Sequence, residues 1–281
     1  MQHIVIVGTG LIGSSFGLAL RKAGFTGAIT GVSSPPAIAD AIAAGAIDRG
    51  ASLEAAVPEA DLVFLSQTIG RILDTIRHLD PLVSPGTLVT DAGSTKCAIV
   101  DLARYSLTRA QFLGGHPMAG KETRGAAAAD PDLFRGRTWI LTPDDNEELR
   151  TSSALEFRVW LERIGAHVMT LDADEHDRVV SLTSHLAQLA STALAATVSD
   201  KLGGPPRLNA AGPGLEDMTR LAMGSYEIWR DILATNSDHI ERALGLYIQK
   251  LEHMRENLRT RQLQEEFERG AALAAQLRKP R

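Results

Sequence analysis

Polar and apolar positions along the chain divide it into two unlike halves. Ile4, Val5, Ile6 and Val7 form an unbroken apolar run, as expected of a parallel strand covered on both faces. The chain then passes through Gly8, Gly10 and Gly13 into a segment whose apolar positions Ile12, Phe16, Ala19 and Leu20 predict a helix. Short apolar runs return at 28–32 (AITGV), 60–65 (ADLVFL), 86–90 (GTLVT) and 166–171 (AHVMTL), with helical stretches at 37–47 and 151–164. Strands alternating with helices predict an α/β fold with a doubly wound, mostly parallel sheet. From Asp174 onward the pattern is helical, broken by Gly203-Gly204-Pro205-Pro206 and Gly212-Pro213-Gly214. Ile240, Leu244, Tyr247, Leu251, Met254 and Leu258 form one apolar stripe, with Asp238 and Glu241 placed as a capping pair. The stripe is read as helix packing that two subunits share, and the mixed-sign run 250–269 as a solvated face. A sheet domain over 1–172 and an all-α domain over 173–281 follow.

Composition narrows the partners. A net charge of −5 and an isoelectric point near 5.9 argue against a nucleic-acid or anionic membrane surface. The lone cysteine, Cys97, cannot form an intramolecular disulfide. No apolar run is expected to reach the ~18 residues of a membrane span, and no secretory signal is visible at the start. The cytoplasm and a small-molecule ligand are therefore expected.

The glycine turn fits G-x-G-x-x-G between a strand and a helix, the arrangement that seats a dinucleotide pyrophosphate at a helix N-terminus. Gly8, Gly10, Leu11, Ile12 and Gly13 are its candidate contacts; the alternative is a plain strand-to-helix turn. At the end of the second strand, where such folds often offer an acid to the ribose, Ser33-Ser34-Pro35-Pro36 stand instead. A 2′-phosphate would not be repelled there, so either NAD or NADP is admissible, with a lean to NADP. Asp91-Ala92-Gly93-Ser94-Thr95-Lys96 lies at the end of another strand, as a ligand site or as a helix cap made by Ser94 or Thr95. His116, between glycines and before Pro117, reads as an imidazole presented to a ligand by a rigid loop, or as a structural histidine.

Taken together the chain resembles the prephenate and arogenate dehydrogenases of tyrosine biosynthesis. The likeness rests on Gly8 to Ser15, on Asp91 to Lys96, on Gly115-His116-Pro117-Met118-Ala119-Gly120 with Glu122 and Gly125, and on Leu133-Phe134. It continues through Trp139 to Pro143, Asp174-Glu175-His176-Asp177, Ser184-His185-Leu186, Asp217 to Ala222 and Trp229-Arg230-Asp231. The sequence departs from that family at Ser66-Gln67-Thr68-Ile69, where a proline-containing turn is common, and at Ala187, where a proline is common. It carries no added regulatory or mutase module, so feedback through such a module is not expected.

The resemblance implies a Rossmann-type domain followed by a helical, dimer-forming one. It also implies hydride loss from a cyclohexadienol to the nicotinamide, coupled to decarboxylation, without a metal. A base must take the hydroxyl proton; a neutral histidine suits this, and His116 is assigned to it. Ser94 is expected to hydrogen-bond the same hydroxyl. Arg220 is the candidate cation for a substrate carboxylate, since its planar fork offers two-point geometry, and His185 is placed in the substrate pocket. His176, flanked by acids, is read as a surface residue. The other histidines are read as structural, and Cys97 as packed rather than reactive. The competing readings are another nicotinamide-dependent hydroxy-acid dehydrogenase of the same two-domain plan, and a non-catalytic dinucleotide sensor that would need the glycines but not Ser94, His116 and Arg220.

Overall fold

The computed structural model describes residues 1–279 except 122 and 261, with the backbone alone at 205 and 206. Its first half runs β1 (His3–Val7), α1 (Leu11–Lys22), β2 (Ala28–Val32), α2 (Pro35–Ala43), β3 (Arg49–Gly50), α3 (Leu53–Ala56), β4 (Leu62–Leu65), α4 (Ile69–Leu79), β5 (Leu88–Asp91), α5 (Cys97–Ser106), β6 (Gln111–Pro117), β7 (Thr138–Thr142), α6 (Ser152–Arg163) and β8 (His167–Thr170). These strands form one sheet in the order β3-β2-β1-β4-β5-β6-β7-β8, parallel throughout except for the antiparallel β6–β7 pair. The second half is helical: α7 (Ala173–Val180), a π turn (Ser181–His185), α8 (Leu186–Leu202), α9 (Pro205–Leu208), α10 (Pro213–Thr219), a 3-10 turn (Arg220–Met223), α11 (Tyr226–Thr235), α12 (Ser237–Glu256) and α13 (Gln264–Leu277).

The continuous apolar run of β1 has a direct cause. Ile4 and Ile6 enter the core on one face of the sheet, and Val5 and Val7 enter the core on the other. The first core is centred on Phe16 of α1, whose ring lies 4.5 Å from that of Phe64 and 5.7 Å from that of Trp139. Glycine lets α1 come this close. A Cβ at Gly13 would lie 2.1 Å from the Gly8 carbonyl oxygen, and one at Gly17 would lie 2.0 Å from that of Ala46. Both obstacles are backbone, which has little room to give.

Two carboxylates tie the helical half to the sheet half. Asp231 of α11 accepts from the Gly70 N–H at 3.0 Å, in the first turn of α4, and Asp177 of α7 accepts from the Lys96 and Cys97 N–H groups where α5 begins, at 2.7 and 3.0 Å. Each satisfies donors that a helix start leaves without intrahelical partners. Ile232 is buried in the second core beside these contacts, with Trp229 packed against that core.

Two expectations need correction. Asp238 and Glu241 make no capping box, since no side chain caps α12 and Asp238 instead takes the Ser237 hydroxyl at 3.2 Å. Asn236, the residue before that helix, is turned inward to the site described below. Next, Ala173–Leu202 is long and apolar enough by length and composition to cross a membrane, because its middle is built from Ala, Ser, Thr and Leu without charge. Only 28% of its apolar window is buried in the single chain, and the part that is turned inside brings His176, Asp177 and His185 with it. The apolar stripe of α12 is buried at Ile240, at 5% exposure, and half-buried at Leu244 and Tyr247, while Leu251 stands 47% exposed and Leu258, past the end of the helix, 69%.

Gly17→Ala should cost about 1–3 kcal/mol or more by overpacking α1 against Ala46, whereas Asp231→Ala should cost about 1 kcal/mol as a lost cap. Urea unfolding midpoints of the two variants give the ranking, and equal shifts would contradict this account of the packing.

Candidate active site

The strand order reverses between β1 and β4, so a crevice opens at their carboxyl ends. Gly8 turns the chain there at φ +97°, a conformation that suits glycine. The loop after β4 clamps this turn: the Ser66 hydroxyl donates to the Gly8 carbonyl at 2.6 Å, so the proline-free Ser66-Gln67-Thr68-Ile69 segment is built into the turn itself. Gly10 is different. It precedes α1 at φ −76°, and a Cβ there would meet nothing within 4 Å. The protein's own packing leaves this position open, while Leu11, Ile12 and Gly13 supply the first-turn N–H groups of α1. Open space before a helix N-terminus fits a dinucleotide pyrophosphate. Ser33 and Ser34 are exposed at the end of the neighbouring β2, with Ser34 preceding α2 and no carboxylate among residues 33–36.

The polar cluster lies farther along the same edge of the sheet. Asp91 ends β5; its carboxylate accepts from the Gly93 N–H at 2.7 Å and the Gly115 N–H at 3.0 Å, and pairs with the fully buried Lys96 ammonium. Lys96 Nζ also donates to the Gly115 carbonyl at 2.9 Å, which fastens β6 to the β5–α5 loop just before His116. His116 is not in a loop. It pairs with Ile140 in the antiparallel β6–β7 ladder and is 8% exposed, because the glycines before it allow β6 to run close against Asp91 and Thr142. Ser94 is half-buried between Asp91 and Lys96. Neither Ser94 nor Thr95 caps α5, since Asp177 supplies the acceptors and the Thr95 hydroxyl meets that of Thr235 at 2.7 Å.

The helical half closes the cluster. His176 is completely buried, in place of the surface position expected from its acidic neighbours. Its Nε2 lies 2.8 Å from His116 Nδ1 and its Nδ1 lies 2.7 Å from Asp177 Oδ1. His185, at the end of the π turn, is buried with Nδ1 3.2 Å from Asn236 Nδ2 and its ring edge-on to Trp229 at 5.8 Å. The Asn236 amide also donates to the Asp177 carbonyl at 2.9 Å. The sequence names Asp177 only within the Asp174-Glu175-His176-Asp177 motif, without a role, and does not point to Asn236; the available signal for Asp177 was that His176 and Val180, and Asp177 and Ser181, stand four residues apart on adjoining faces of one helix. Arg220 opens the 3-10 turn that α8 holds through Gln188 and Ser191, at 2.7 and 3.1 Å. It is exposed on that turn, which lies beside Trp229. Glu122 of the loop motif lies outside the described residues.

Burial sets the charge states. It pulls His116 well below the ordinary histidine value, with the neighbouring His176 and Lys96 acting in the same direction. His176 is lowered by burial even though its bond to Asp177 opposes this, and burial brings His185 down to about 4. Burial raises the Asp177 carboxyl, but the bonds from His176 and the α5 backbone outweigh it and hold the group below its usual range. Cys97 at the start of α5 is pushed up to about 12 by burial and by Asp177, so its thiol is inert at neutral pH.

The chain matches the profile of the prephenate dehydrogenase nucleotide-binding domain over residues 16–170 and that of the prephenate dehydrogenase dimerization domain over 172–272. It is 34% identical to a prephenate dehydrogenase of Lactococcus lactis over 85% of its own length, and spans 66% of that relative. The structure of A. aeolicus prephenate dehydrogenase with hydroxyphenyl propionate and NAD+ superposes with a TM-score of 0.85 at 32% identity, covering 98% of this chain and 97% of that one. Synechocystis arogenate dehydrogenase superposes with a TM-score of 0.78 at 29% identity, covering 98% of each chain.

Gly10→Val should fold with parental stability yet lose dinucleotide binding, as checked by calorimetry; unchanged affinity in the folded variant would leave the turn as architecture alone. A second expectation concerns acid. Because His185 titrates at about 4 when folded and near 6.5 when unfolded, its contribution is complete above pH 6.5 and is lost as pH falls toward 4. That window corresponds to about 3 kcal/mol, so His185→Gln should flatten the decline of stability between those values in pH-dependent urea titrations.

Proposed function

The chain belongs to the prephenate dehydrogenase family, and from that membership we propose that it oxidatively decarboxylates prephenate or arogenate, yielding 4-hydroxyphenylpyruvate or tyrosine. The observation that carries the reading is a buried imidazole, His116, held neutral at the carboxyl edge of a sheet whose glycine turn suits a dinucleotide. When bound at that turn, NAD(P) supplies the hydride acceptor. His116 takes the proton of the substrate hydroxyl as the hydride leaves, and aromatisation of the ring after loss of carbon dioxide drives the reaction. Ser94 orients that hydroxyl, Arg220 receives a substrate carboxylate, and His185 lies toward the substrate side chain. The burial of His116 strengthens the polar contact made at its ring.

The finer points belong to the same proposal. The neutral Ser33-Ser34 turn tolerates a 2′-phosphate, which favours NADP while leaving NAD acceptable. The division falls after residue 172, and the helical part pairs two chains through the uncovered stripe of α12, giving a cytoplasmic homodimer. Leu246, Ile248 and Leu251 on that helix and Leu258 just past it are exposed in the single chain, and fully burying a side chain of this kind is worth roughly 1.5–3 kcal/mol.

Nicotinamide absorbance with prephenate and arogenate, each with NAD and NADP, tests the activity; no turnover in any combination would overturn it. His116→Asn should lower kcat by about 10²–10⁴-fold while cofactor affinity survives. The parent's kcat/KM should stay level down to pH 6.5 and fall only well below it, because the base titrates below the ordinary histidine value, and the variant should lose that acid limb. Arg220→Ala should act chiefly on KM, by the roughly 1.5–3 kcal/mol of a charge-assisted contact. Ser33→Asp should weaken NADP more than NAD, and light scattering should find two chains per particle.

A further inference from the structure

The bonds around His116 carry directional information that follows from which groups are able to donate. Backbone N–H groups only donate, and Asp177 receives two of them, from Lys96 on Oδ1 and from Cys97 on Oδ2. Asp177 Oδ1 also faces His176 Nδ1 at 2.7 Å. A carboxylate held below its usual range has no proton to give, so His176 must donate from Nδ1. A neutral His176 then has only a lone pair at Nε2, and that atom faces His116 Nδ1 at 2.8 Å. The proton between the two rings must therefore belong to His116 Nδ1, which leaves His116 Nε2 as the basic nitrogen.

We infer that His176 and Asp177 are positioning residues for His116: a carboxylate–imidazole–imidazole chain holds the base in the Nδ1–H tautomer and aims its free Nε2 away from the chain. The substrate role of that nitrogen rests on the proposed function, whereas the tautomer does not. When the substrate hydroxyl gives its proton to Nε2, the O–H bond breaks, an N–H bond forms, and His116 becomes cationic with both nitrogens protonated. Its Nδ1–H then points at a lone pair backed by Asp177, so the new charge meets an aligned acceptor inside a dry site. An isolated buried imidazole would have no such partner.

The other charged and titratable groups at the site are Lys96 and Asp91 from the β5–α5 loop, His185 from the π turn and Cys97 from α5. Lys96 and Asp91 neutralise each other, His185 is held neutral by burial, and Cys97 keeps its proton, so Asp177 is the remaining uncompensated anion next to the paired rings. Asn236 holds Asp177 and His185 from the α11–α12 junction, fixing the direction of the chain from behind.

Nitrogen NMR of the full-length protein with labelled histidine, without substrate, reads the tautomer. Near neutral pH His116 should show a protonated Nδ1 and an unprotonated Nε2. His176→Leu, which keeps the volume and removes the acceptor, should mix the tautomers and lower kcat by about 10²–10⁴-fold, the scale set by a catalytic histidine held in the wrong tautomer. KM for prephenate should change little. His176→Gln offers an amide oxygen where Nε2 stood and should recover most of both losses. A parent spectrum with Nε2 protonated would overturn the inference, as would a folded His176→Leu protein with the parental tautomer and kcat. If the Leu variant does not fold, the parent spectrum and the Gln variant decide. A parent inactive on prephenate and arogenate would overturn the proposed function while leaving the spectrum, and thus the tautomer assignment, intact.

Discussion

The structure turns on one carboxylate. Asp177 reaches from the helical half to the start of α5 in the sheet half, 80 or more residues away in sequence. It accepts from two backbone N–H groups there and from His176, while its own carbonyl takes the Asn236 amide. Helix N-termini carry a partial positive charge, so an anion at this point is favourable in itself; here the anion is also fully surrounded. Joining two domains by capping a helix of one with a side chain of the other makes docking and site assembly a single event. His176 and His116 come into line because Asp177 is seated, and Asp231 repeats the device on α4.

The same edge of the sheet shows how differently glycines can be used. Gly13 and Gly17 are demanded by the protein, because any side chain would strike backbone 2.1 or 2.0 Å away. Gly10 is demanded by nothing in the protein. A residue that packing does not require, at the mouth of a helix and a crevice, is best understood through what approaches it from outside. Farther along the edge, Gly114 and Gly115 serve the site in a third way, letting β6 lie against Asp91 and Thr142 so that the next residue, His116, is brought in under cover.

Burial of so many polar groups is costly unless each is paired. Lys96 is matched by Asp91 and the Gly115 carbonyl, His176 by its two neighbours, and His185 by Asn236. The arrangement keeps all three histidines neutral and, beside the Lys96–Asp91 pair, leaves Asp177 as a carboxylate with no cation opposite it among the described residues. That is the charge distribution a buried base needs, and it accounts for the expected loss of stability in acid.

Much of this was legible in the chain itself. The run at 28–32 is β2 with those same bounds, the glycine turn stands between β1 and α1, and the change from strand to helix near residue 172 is visible as a change of period. Such features depend on backbone conformation and on one-sided or two-sided burial, which neighbouring residues determine. The resemblance of the motifs to a known dehydrogenase family also needed no coordinates. What required the tertiary structure was the identity of partners. His176 reads as a surface residue because acids flank it, yet one of those acids is the cap of a helix in the other domain. Ser94 and Thr95 are chemically suited to cap α5, but a better acceptor arrives from far along the chain, and Asp238 and Glu241 have the spacing of a capping box without forming one. His116 looks like a loop residue until the antiparallel β7 takes it into a ladder. Sequence determined most of the strands, helices and turns, though not β6, because those follow from local sterics and periodic burial; only the folded chain decided which polar groups would meet, because a hydrogen bond depends on the position of its partner in space.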